Sequence, residues 1–98
     1  MAHRDKTQTR TLKSDERSDD GILYFYQLIV REDRNQASFR IPLYSVAVKM
    51  IDKDGDESEA SVKDAFCDPG RALVFYDKVV RNLATPIDLA YILEDEMR

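Results

Sequence analysis

Residues 21–32, GILYFYQLIVRE, decide the fold. β-branched and aromatic residues dominate the run, as in a pleated strand packed against neighbours. Alternation puts Tyr24, Tyr26, Leu28 and Val30 on one face. Leu23, Phe25 and Ile29 fall on the other, with Gln27 and Arg31 among them. Both faces are apolar, which predicts a central strand or one covered on both sides.

Downstream, Asp33-Arg34-Asn35-Gln36 reads as a turn, and Ala37 to Ile51 as a second extended region. Pro42 cannot donate to a ladder, so the region divides into a short strand at 37–41 and a longer one at 43–51. In the longer piece Tyr44, Val46, Val48 and Met50 share one face, and Ala47, Lys49 and Ile51 the other. Asp52-Lys53-Asp54-Gly55-Asp56 carries the Asp-Gly signal of a hairpin. Glu57 to Phe66 is then a polar edge strand with Ala60, Val62 and Phe66 facing inward.

Two helix starts follow. Asp68-Pro69 supplies a capping carboxylate and a proline at the first helical position. Ala72, Leu73, Phe75, Tyr76, Val79, Val80 and Leu83 then fall within one half-circle, leaving Val74 exposed. Thr85-Pro86-Ile87-Asp88 reads as a capping box, with Ile87, Leu89, Ala90, Leu93 and Met97 as the buried stripe and Ile92 opposite it. The expectation is an α+β fold: a small antiparallel β-meander of three to four strands followed by a C-terminal helical hairpin packed on one face.

Upstream, residues 1–20 hold only Met1, Ala2 and Leu12 as apolar side chains. Their five cations and five carboxylates cancel, so the net charge of −4 belongs to residues 21–98. A segment with so little to bury cannot offset its ordering entropy, which predicts a disordered tail at 1–20 and a single domain at 21–98.

The chemistry-bearing residues are few. Asp52 to Asp56 resembles the start of a calcium loop, but the sixth position is Glu57 where Gly belongs and the twelfth is Lys63 where Glu belongs. A hairpin turn is the simpler reading. Cys67 is the single cysteine and precedes a helix, yet the single histidine is His3, in the tail, so no Cys–His pair is expected. The expectation for Cys67 is a buried or half-buried small residue. No phosphate loop, metal-ligand spacing or nucleophile elbow is present, so no catalytic residue, metal ligand or cofactor is assigned. An acidic folded part opposes nucleic-acid binding, although Tyr24, Tyr26 and Tyr44 offer an aromatic face. No stretch is apolar enough to span a membrane, and a lone cysteine fits a reducing cytoplasm.

The strand LYFYQLIV, the segment YSVAVKMI and, above all, TPIDLAYILED resemble a family of short uncharacterised bacterial proteins, mostly from Gram-positive anaerobes. The resemblance covers residues 23–97. It implies a few strands with a C-terminal helical region and no particular activity. Asp88, the acidic turn and the long tail depart from the family pattern.

Two functional readings stand. The first is a non-enzymatic interaction or regulatory module, a homodimer or the partner of another protein, because one helical hairpin can cover only one of two apolar sheet faces. The candidate partner surface is Tyr24, Tyr26 and Tyr44 with the acidic helix end Glu94, Asp95 and Glu96 and the neighbouring Ile92. The alternative is a small enzyme or ligand-binding protein with a pocket between sheet and helices.

Overall fold

The computed structural model describes residues 7–33 and 41–97. Four antiparallel strands form one sheet in the order of the chain: β1 (Thr7–Asp19), β2 (Ile22–Asp33), β3 (Pro42–Ile51) and β4 (Glu57–Phe66). Helices α1 (Pro69–Arg81) and α2 (Pro86–Glu96) follow and pack on one side of it. This is the expected α+β meander with a helical hairpin. Pro42 opens β3, where its missing N–H is tolerated. The short strand expected at 37–41 lies largely outside the described residues.

The expected tail is a correction. Residues 7–19 form a full-length strand paired with β2 from Thr7↔Asp33 to Asp19↔Ile22. Asp20 and Gly21 both have positive φ, 52° and 81°, the conformation of a two-residue hairpin turn. β1 needs little apolar surface because it completes the backbone ladder of β2 and docks its side chains on α1 through polar contacts. The Lys13 ammonium lies 3.4 Å from the Asp77 carboxylate, and the Arg17 guanidinium donates to the Val80 carbonyl at 2.8 Å. The second contact satisfies a last-turn carbonyl and places a cation at the negative end of the helix dipole.

The core lies between sheet and helices. Tyr24, Tyr26, Leu28 and Val30 of β2 and Tyr44, Val46 and Val48 of β3 meet Ala72, Phe75, Tyr76 and Val79 of α1 and Leu89 of α2. Tyr26 is fully buried, and its hydroxyl donates to the Ala84 carbonyl in the link between the helices at 2.9 Å. That link is a Schellman-type stop. Ala84 N–H donates to Val79 O and Leu83 N–H to Val80 O, both at 3.1 Å, with Leu83 at φ 54°.

Both helix starts form as expected. Asp68 accepts from the Arg71 N–H at 3.0 Å. Thr85 and Asp88 exchange a reciprocal capping pair at 3.3 and 3.1 Å. The buried stripe of α2 differs, because Ile87, Ala90 and Met97 are exposed while Leu89, Ile92 and Leu93 turn toward the core. Val74 is exposed as expected, but so is Leu73. Cys67 is exposed rather than buried, since it falls in the bend after β4.

Both outer strands are irregular. The pairing of β1 shifts between Thr11 and Lys13, and that of β4 between its Tyr44 and Val46 partners. In β4 the bulge puts Asp64 at φ 52°, a left-handed conformation that Asp tolerates better than most residues.

Candidate interaction surface

Every strand has its second side facing away from the helices. On β2 this side presents Leu23, Phe25, Gln27, Ile29 and Arg31, and on β3 Leu43, Ser45, Ala47, Lys49 and Ile51. Registered pairs line up across the sheet. Ser18, Leu23, Ile51 and Glu57 form one row, and Glu16, Phe25, Lys49 and Glu59 the next. Ser14, Gln27, Ala47 and Ser61 form the central row. Beyond it come Thr11, Ile29 and Ser45, then Thr9, Arg31 and Leu43. The result is an apolar stripe along the two inner strands, bordered by polar side chains on the two outer ones.

Ion pairs fix the charged members. Lys49 lies 3.0 Å from the Glu57 carboxylate, and its ammonium is held above its ordinary pKa, first by that hydrogen bond and then by the charge of Glu57. Arg31 reaches the Asp64 carboxylate at 2.7 Å, and the Asp64 N–H donates to the Ser45 hydroxyl at 2.8 Å. The β4 bulge therefore turns Asp64 onto this side. The small residues Ala47 and Ser61 leave a shallow concavity of about 570 Å³, walled by Phe25, Lys49, Ile51 and Glu59.

The residues expected to form a partner surface are not gathered here. Tyr24, Tyr26 and Tyr44 face the helices and are 6%, 0% and 8% exposed, so they are core residues and cannot meet a partner. Ile92 is half-buried against the same core. Glu96 pairs with Lys78 at 3.2 Å, while Glu94 and Asp95 are exposed without an ion-pair partner among the described residues. The uncovered apolar surface is the opposite side of the same strands. The sequence marks it through Gln27, Arg31 and Lys49, which interrupt that side and make it the less apolar of the two.

Other chemistry-bearing groups have structural roles. The Asp52, Asp54 and Asp56 carboxylates converge within 4.8 Å, but Asp52 already accepts the N–H groups of Asp54 and Asp56 at 2.9 and 3.0 Å. That is the hairpin turn expected from the sequence. The Tyr26 phenol is pushed up to about 12, first by burial and then by Tyr24. Burial, then the hydrogen bond to Asp15, raises Tyr76 further. Both phenols stay protonated donors near neutral pH. No described helix is long and apolar enough to cross a membrane.

The model of a family of unknown function, DUF6514, matches residues 6–98, so the chain belongs to that family. No curated protein and no solved structure matches it.

Proposed function

We propose that this DUF6514 member is a non-enzymatic protein-interaction module that self-associates through the open side of its sheet. The observation that carries the reading is the stripe of Phe25, Ile29, Leu43, Ala47 and Ile51, over which neither α1 nor α2 lies. Four strands spaced ~4.8 Å apart and ten residues long present ~600 Å² per copy. Two such faces bury ~1,200 Å², the lower end of specific protein interfaces. A pocket between sheet and helices has less support, because Tyr26, Phe75 and Tyr76 are fully buried in that layer. A bacterial cytoplasm is the proposed setting, on the resemblance of TPIDLAYILED and the single cysteine.

Light scattering at micromolar concentration tests this. The expected mass is twice that of the 11.4 kDa chain. Phe25→Glu, which puts a charge in the stripe, should return the monomer mass while circular dichroism stays unchanged. A monomeric wild-type chain overturns the reading.

A further inference from the structure

We infer that the second copy lies face to face with its strands reversed, so that Glu59 of each chain meets the partner's Lys63. This rests on the self-association reading. Among the described side chains, the open side carries Arg31, Lys49 and Lys63 against Glu16, Glu57, Glu59 and Asp64, three cations to four carboxylates.

The charges are also unevenly placed along the strands. Glu16, Glu57 and Glu59 lie toward the hairpin-turn end, with only Lys49 among them. Arg31 and Lys63 lie toward the other end, with Asp64 beside them. Strand alternation from Ser61 puts Lys63 on the open side, and the bulge keeps Asp64 there beside it.

Two symmetric arrangements stack one such face on another. With the twofold axis along the strands, each row meets its own copy. Glu16 then opposes the partner's Glu59, and Phe25 opposes the partner's Lys49. With the axis across the strands, through the central row of Gln27, Ala47 and Ser61, each strand meets its own copy end for end. Glu59 and Lys63 are both two residues from Ser61, so they face each other twice in the pair. Phe25 and Ile29 are both two residues from Gln27, so ring meets aliphatic chain. Ile51 and Leu43 are related in the same way about Ala47. Glu59 thus covers Lys63, and the Phe25–Ile29 and Ile51–Leu43 pairs put apolar on apolar, while Leu23 meets Arg31. Packed sheets keep their strands within about 30° of alignment, which preserves these neighbours.

Charge reversal in the full-length chain tests the arrangement by sedimentation equilibrium at low salt. Glu59→Lys and Lys63→Glu should each weaken the dimer about tenfold, because two attractive contacts become repulsive in each case. The double variant Glu59→Lys/Lys63→Glu should restore wild-type affinity. Glu16→Lys should leave affinity nearly unchanged; the row-on-row alternative requires it to tighten the dimer. All three positions are exposed, so circular dichroism should match wild type. A wild-type dimer insensitive to the single reversals, or a double variant that stays weak, overturns the reversed arrangement and leaves self-association standing. A monomeric wild type overturns both.

Discussion

The Tyr76 hydroxyl donates to the Asp15 carboxylate at 2.7 Å, tying α1 to a strand 61 residues earlier in the chain. The same hydroxyl lies 3.2 Å from the Tyr26 carbonyl, and Lys13 sits 5.5 Å from the centre of the Tyr76 ring. Tyr76 is therefore the point at which β1, β2 and α1 are held together.

Tyr76→Phe keeps the ring and removes the donor. A charge-assisted hydrogen bond of this kind contributes ~1.5–3 kcal/mol. Chemical denaturation should show a loss of that size. Hydrogen exchange of the β1 amides should quicken more than that of β3. Unchanged protection across β1 would show that the Asp15 contact does not anchor the strand.

Deleting residues 1–20 removes β1 and leaves the length of β2 as an unpaired edge beside the core. The shortened chain should aggregate or melt at markedly lower temperature. A disordered tail would come off with no change in the melting temperature, so the two outcomes separate cleanly.

Alkaline pH should destabilise the fold. Tyr26 and Tyr76 are held protonated in the native state above the ordinary tyrosine value of 10. The unfolded chain releases those protons first. Their stabilisation is complete below pH ~10 and falls as pH rises through about 12, the native value of Tyr26. Denaturation midpoints should drop over that window, and the drop should shrink in Tyr26→Phe. A flat profile between pH 10 and 12 contradicts this.

Gly21 sits at φ 81°, and an added Cβ would lie 3.3 Å from Cγ of Lys53. Gly21→Ala should cost ~1–2 kcal/mol through the left-handed backbone, plus a small displacement of the Lys53 side chain. Gly55 has φ 87° and open space around its Cβ position, so Gly55→Ala should cost the backbone part alone. Thermal melts of the two variants should rank Gly21→Ala as the less stable.

Three of the four strands and both helices are legible in the sequence, because alternation, Asp-Gly and paired caps all point the same way. β1 is not, because polarity and charge balance speak for disorder when a segment is weighed alone. Its signal is the dipeptide Asp20-Gly21, the same device that marks Asp54-Gly55, together with the spacing of Thr7, Thr9 and Thr11. The tyrosines expected to meet a partner lie on the covered side for a related reason. Tyr24, Tyr26 and Tyr44 are the larger apolar set, and the larger set is the one that the helices cover. In α2, the consecutive Tyr91, Ile92 and Leu93 blur the helical period, so only contact with the core selects Ile92 and Leu93 over Tyr91.

The faults in the two outer strands limit how the molecule can grow. A regular outer strand would accept another chain alongside it, and then another, toward a fibril. The dislocation near Leu12 on one margin and the kink at Asp64 on the other spoil that template on both flanks. The proposed stacking through the open side would close after two copies, giving a finite pair and no filament.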